Sequence, residues 1–177
     1  MTPATQRRSK TFLPSSSFGR SLHFAVAWSC LNCLLSTAAF SQAANPLAGT
    51  WELDLSKSDF TPETAIRERT MVFTAVDNGV ICKMTTLTER GNGRVTTEST
   101  YTAHFDNKDV PIDYSPLDTV ALKRTDANNY ERTGKVRGKA VETATMKVSD
   151  DRKTLTIATT GSNDGLDYSS TQIFVRK

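Results

Sequence analysis

From Ala48 to its last residue the chain keeps one rhythm, in which runs rich in Thr, Val, Ile and aromatic residues are broken by turn residues. The breaks fall at intervals of about 11 to 15 residues, a spacing that specifies an all-β meander, because short connections force successive strands to lie antiparallel. The runs are 48–56, 67–76, 80–88, 94–105, 119–125, 129–137, 139–148, 154–160 and 168–176, with 109–112 as a short tenth. Asp77-Asn78-Gly79 predicts a tight type I′ hairpin with two residues at positive φ. The stretches 91–93, 126–129, Arg137-Gly138, 150–152 and 161–165 carry similar turn chemistry. Nine or ten strands joined this way leave raw edges unless the sheet closes, so a barrel is expected. Only 58–65 reads as helical, and Pro62 limits it to one turn with Thr61 as its N-cap.

Residues 1–43 do not share the rhythm and read as a targeting leader. Arg7, Arg8, Lys10 and Arg20 come with no acid, an apolar stretch follows over 22–40, and Ser41-Gln42-Ala43 supplies the small-x-small pattern of a signal peptidase site. Cleavage after Ala43 leaves 44–177 as one β-barrel domain, periplasmic or secreted. His23, Ser29, Asn32 and Ser36 weaken the apolar stretch as a retained span, so no stable membrane anchor is expected in the mature chain. Arg7-Arg8 raises twin-arginine export, but Phe12 and Leu13 sit too far downstream, which favours a Sec-type signal. Neither Cys30 nor Cys33 lies in a lipobox.

Removing the leader takes four of the 22 basic residues and none of the 19 acidic ones, leaving a net charge near −1. The apparent basicity belongs to the leader, and with it goes the case for a nucleic-acid partner. The remaining cationic run, Arg132 to Lys139, reads as a solvated surface. One cysteine, Cys82, stays in the barrel, so no internal disulfide forms and apolar burial must hold the domain together. Mid-strand, Cys82 reads as a buried inert thiol. His104, the only histidine past the leader, is not paired with it by spacing.

Trp51 opens the first strand in Ala48-Gly49-Thr50-Trp51-Glu52-Leu53, and an indole there plugs one end of a barrel. This Gly-x-Trp start resembles the calycin superfamily of lipocalins and fatty-acid-binding proteins. The closing run, Ser170-Thr171-Gln172-Ile173-Phe174-Val175-Arg176-Lys177, resembles the last strand of the fatty-acid-binding branch. Asn45-Pro46-Leu47, Gly49-Thr50-Trp51 and Lys57-Ser58 are also similar to small exported bacterial lipocalin-like proteins of unassigned function. The resemblance implies a calycin-like barrel in which Arg176 stacks on Trp51 as a structural plug. The fatty-acid-binding branch grips a ligand carboxylate with Arg-x-Tyr where this chain has Gln172 and Phe174. That branch also has a two-helix lid where this chain has about ten residues. Both differences argue against a fatty acid.

Alternation with Gln172 and Phe174 inward turns Tyr168 and Ser170 inward as well. On other strands it selects Met71, Phe73 and Ala75; Cys82 and Met84; Tyr101, Ala103 and Phe105; Val120 and Leu122. Two readings stay open: these side chains fill the barrel, or they line a cavity. The favoured function is interior binding of a small, mostly apolar molecule by Met71, Phe73, Met84, Tyr101, Phe105, Leu122, Tyr168, Gln172 and Phe174, with few polar contacts. Two alternatives stand: a barrel that binds or inhibits a protein partner through its loops, and an isomerase, cyclase or lyase built around Tyr101, Tyr130 or Tyr168. Tyr101 and His104 fall on opposite faces, and Asp109, Asp113 and Tyr114 read as a solvated loop, so no catalytic residue is assigned. The sequence carries no phosphate loop, metal-ligand cluster or Ser/His/Asp spacing, and no cofactor or metal is expected.

Overall fold

The structure, a computed structural model, describes residues 45–61, 65–91 and 93–177, so the expected leader lies outside the described residues. Eleven strands run among the described residues. They are β1 (Gly49–Leu53), β2 (Asp59–Thr61), β3 (Ile66–Val76), β4 (Gly79–Arg90), β5 (Gly93–His104), β6 (Val110–Pro111), β7 (Thr119–Arg124), β8 (Asn129–Val136), β9 (Lys139–Val148), β10 (Thr154–Asn163) and β11 (Leu166–Arg176). Every pairing is antiparallel, in the order β5-β4-β3-β1-β11-β10-β9-β8-β7-β6, with β2 beside β11. The return of β11 to β1 rolls the meander up. The seam left between β5 and β6–β7 is stitched where the Asp113 N–H donates to the Thr100 carbonyl at 3.0 Å and the Asn107 N–H to the Leu122 carbonyl at 3.0 Å. The result is a nearly closed antiparallel barrel, and the nine long runs and the short tenth read from the sequence are all strands.

Period-two alternation builds the core. On β3, Met71 and Phe73 are buried while Val72 and Thr74 face out; on β9, Ala144, Met146 and Val148 are buried between exposed Thr143, Thr145 and Lys147. Each buried large apolar side chain contributes about 1.5–3 kcal/mol, and the inward sets merge into one continuous cluster.

One end of the barrel is sealed by the segment ahead of β1. Trp51 is fully buried, its indole N–H donates to the Leu47 carbonyl at 2.8 Å, and Leu47 is itself fully buried. The Arg176 guanidinium lies 4.1 Å from the Trp51 ring centroid. It donates to the carbonyls of Pro46, Ala48 and Arg152, each at 2.6 Å. Gly49 makes room for this: at φ 139° it leaves open the place where a Cβ would meet the Arg176 guanidinium. Asn45 ties the segment to the far wall by accepting from the Tyr130 hydroxyl at 3.1 Å.

Two local expectations are corrected. Within the stretch 58–65, Asp59–Thr61 form strand β2 rather than helix, preceded by a 3-10 turn at Leu55–Lys57 capped by the Asp54 side chain, while 62–64, where the turn capped by Thr61 was expected, lie outside the described residues. Strand β11 extends past the end of β1, and its backbone groups over 169–171 need partners, which β2 supplies. At the β3–β4 turn only Asn78 takes positive φ, at 46°. Gly79 is the first residue of β4, where a Cβ would meet the Ala103 carbonyl oxygen of the neighbouring strand.

Candidate functional site

The opposite end carries the β4–β5, β8–β9 and β10–β11 turns and only the short 54–65 connection, and there the interior changes character. Deep in the barrel Met71, Phe73, Tyr101, Leu122 and Phe174 are buried, with Met84 and Phe105 packed against them half-buried. Towards this mouth the lining becomes polar: Thr86, Ser99, Thr159 and Gln172 are buried and Tyr168 is half-buried. Ala75 was expected inward, but it is exposed because the β3–β4 hairpin has passed the sealed end there. His104, Asp109, Asp113 and Tyr114 are all exposed and do not converge.

Three charged side chains sit inside, in phase with apolar neighbours two residues away. Arg132 follows Tyr130 on β8, and Glu142 precedes Ala144 on β9. The pairings Arg132–Ala144 and Gly134–Glu142 make them diagonal neighbours. They form an ion pair whose side chains are only 13% and 14% exposed. The expectation that Arg132 belongs to a solvated cationic surface is thereby overturned, because the alternation that buries Tyr130 carries Arg132 inward too. The Tyr168 hydroxyl donates to the other Glu142 oxygen at 2.9 Å. Its ring reaches there across Gly161 of β10, where a Cβ would occupy the ring's place. A cleft of about 490 Å³ opens beside this contact, lined in part by Glu142, Gly161, Asp167 and Tyr168.

Arg69, two residues before Met71, is the third. The pairing of β1 with β3 stops at Glu52–Thr70. Beyond that point the Arg69 side chain reaches over to β11, where it donates to Gln172 Oε1 at 2.6 Å; it also donates to Thr86 Oγ1 at 3.0 Å. Gln172 in turn donates to Ser170 Oγ at 3.1 Å. The guanidinium that the closing strand lacks at position 172 is thus delivered to that place from β3.

The interior therefore holds two guanidiniums against one carboxylate, and no other carboxylate of the described residues occupies an inward phase. Burial lowers the Arg69 pKa to about 10, with Arg132 adding to the fall and Glu142 opposing it. Burial also works against the Arg132 charge, but the Glu142 carboxylate, supported by Tyr101 and Cys82, outweighs it and holds the pKa above its ordinary value. Burial pushes the Cys82 thiol up to about 11, as befits an inert core cysteine. The Tyr101 hydroxyl is pushed well above its usual range by burial. It lies beside Cys82 and Arg132, yet neither meets it in hydrogen-bonding geometry, and both Tyr101 Oη and Arg132 Nε are buried without a partner. Leaving such donors unmade costs about 1–3 kcal/mol apiece. Among the described residues there is no group of three or more His, Cys, Asp or Glu side chains able to hold a metal ion.

No protein-family model matches the chain, and no curated protein matches it. Among solved structures it is similar to an S-type phycobiliprotein lyase from Guillardia theta, with a TM-score of 0.49 and 8% identity over 75% of this chain and 89% of that one. It is also similar to the zebrafish ileal bile acid-binding protein complexed with cholic acid, with a TM-score of 0.45 and 9% identity over 75% of this chain and 99% of that one.

Proposed function

We propose that the protein is an exported barrel that binds a small, largely apolar molecule inside, entering by the polar end. The observation that carries the reading is the asymmetry of the ends. One is sealed by Leu47, Trp51 and Arg176, whereas the other is lined by half-buried Met84, Arg69 and Tyr168. A barrel filled only for stability gains nothing from charged side chains inside, since each buried ion costs several kcal/mol before pairing. Such a cup, apolar with a few convergent polar groups, has the make-up of a small-molecule site. Nile red, an uncharged environment-sensitive dye, tests it. One saturable site per chain is expected, weakened about fivefold or more by Met84→Trp, a loss of about 1 kcal/mol. An absence of saturable binding discards the reading.

Export rests on the leader pattern of 1–43 and on the fact that Asn45 already belongs to the sealed end. Sequencing the N-terminus of protein recovered from the periplasm or medium is expected to find Ala44 first. A chain that keeps residue 30 would refute cleavage.

One observation favours a second reading, contact with another protein. Among the described residues the three most exposed large apolar side chains, Val95 at 52%, Tyr114 at 88% and Leu166 at 76%, all lie in or next to turns of the mouth end. Copurification lost in Tyr114→Ser/Leu166→Ser, with dye binding intact, would support it.

A further inference from the structure

Strand β5 carries an edge that no described strand covers. The seam joining β5 to β6 and β7 begins at Thr100, whose carbonyl accepts from the Asp113 N–H, and runs towards the sealed end. From Gly93 to Glu98 the strand stands clear of it, with every side chain exposed. The Thr100 carbonyl faces the seam, so by the period of two the N–H and C=O groups of Arg94, Thr96 and Glu98 face the same way, away from β4. Among the described residues no main-chain hydrogen bond reaches them on that side. Val95, Thr96 and Thr97 are strand formers, and no proline or bulge blunts the edge.

We infer that this edge receives the same edge of a second copy of the chain, so that two barrels share one sheet across a two-fold axis. Charge selects that occupant. The run reads Arg94-Val95-Thr96-Thr97-Glu98. Laid antiparallel on itself, with Thr96 opposite the partner's Thr96, it sets Arg94 against the partner's Glu98 and Glu98 against the partner's Arg94. Each residue with free main-chain groups then meets another of the same kind, and about six main-chain hydrogen bonds form. Registers shifted by two residues keep the hydrogen-bond phase but lose both ion pairs. On the other face Val95 meets the partner's Thr97, a β-branched pair. Within one barrel Arg94 lies 3.5 Å from Glu89 and Glu98 lies 3.2 Å from Lys83. Those pairs are largely exposed and weak, which leaves both charges free to turn to a partner. Ion pairs at such an edge fix register more than strength, and one short strand a side makes a small interface, so the dimer is reversible and concentration-dependent.

The test follows the full chain by analytical ultracentrifugation over rising concentration at neutral pH. Arg94→Glu and Glu98→Arg each oppose like charges twice and are expected to weaken the dimer about tenfold. Mixed in equal amounts, the two variants regain it, because every Glu then faces an Arg across the interface. Thr96→Pro removes a donor that β4 does not use, so the fold survives, as circular dichroism checks, and the dimer is lost. Amide exchange at Arg94, Thr96 and Glu98 slows as concentration rises, while that at Val95 and Thr97, already bonded to β4, stays as it is. A chain that stays monomeric, a dimer that survives Thr96→Pro, single variants that fail to pair when mixed, or protection of the three edge amides only by a different protein each overturns the inference. Dye binding plays no part in these readings, so interior binding stands or falls separately.

Discussion

Arg176→Met removes the guanidinium that seals the closed end and keeps an unbranched stem over Trp51. Three hydrogen bonds go with it. Those to Pro46 and Ala48 are part-buried and the one to Arg152 is exposed, where water replaces it at little cost. A bond from a charged donor contributes about 1.5–3 kcal/mol; Arg176 is only half enclosed, so the lower figure applies and the two part-buried bonds account for about 3 kcal/mol. The stack at 4.1 Å adds about 1 kcal/mol, and the methionine sulfur over the ring recovers a similar amount. The expected loss is about 3 kcal/mol, read as a lower urea midpoint at unchanged slope or a melting temperature lower by roughly 10 °C. A loss below about 0.5 kcal/mol, the level of an ordinary surface substitution, would refute the seal. Gly49→Ala sharpens the test, because a Cβ there falls where the guanidinium lies. In the wild type it both strains the backbone and evicts Arg176; in Arg176→Met only the strain remains. The double variant should therefore lose less than the sum of the singles, by about 1–2 kcal/mol. Strict additivity would mean that Gly49 is kept for its backbone alone.

Arg132→Met, which strands Glu142 without its cation, is expected to cost about 3–5 kcal/mol in urea unfolding, whereas Arg132→Met/Glu142→Gln recovers most of that loss; a double variant as weak as the single would contradict the pairing. Gly161→Ala should displace the Tyr168 ring from Glu142 and cost about 1–3 kcal/mol, while an unchanged midpoint would show that the ring does not need the gap. Cys82, 1% exposed and with its thiol pushed up to about 11, is expected to resist an aromatic disulfide reagent at mildly alkaline pH until the chain unfolds. Rapid stoichiometric labelling of the native barrel would contradict its burial. Asp126 is held below the usual carboxylate range by the Asn128 N–H first and the Asn129 side chain next. Its folded value lies under the unfolded one, so its support of the 126–129 turn is full above the ordinary carboxylate range. That support is lost as pH falls through the lowered value. Amide exchange at Asn128 and Asn129 should therefore quicken in acid relative to the rest of the barrel, and Asp126→Asn should remove that dependence.

The fold was legible because turn chemistry and period-two alternation are local signals that the barrel obeys along most of its length. Met71, Phe73, Tyr101, Leu122 and Phe174 could be turned inward from the sequence by that rule alone. The same rule reaches Arg69 from Met71, Arg132 from Tyr130 and Glu142 from Ala144. Charged side chains are rarely buried unless paired, and the pairing joins strands that the sequence does not show to be in register, so Arg132 reads as surface and nothing singles out Arg69 or Glu142. Strand β2 was hidden for a related reason: three residues carry no periodicity, and what makes them a strand is the unpaired edge of β11, 108 or more positions further along the chain. The Gly49 requirement is equally non-local, since the atom that excludes a Cβ belongs to Arg176.

The seal has a consequence for when the molecule can fold. Strand β1 pairs with β11, and Trp51 is covered by Arg176, a residue far along the chain from it. A nascent chain that has already released Gly49–Leu53 from the ribosome still lacks β11, and the meander made so far has two raw edges and an uncovered indole. Closure therefore waits for β11 to emerge, and the long sequence separation of the β1–β11 contact makes it a slow step. During that interval the barrel segment is open, with its raw edges and indole exposed, a state that chaperones can hold.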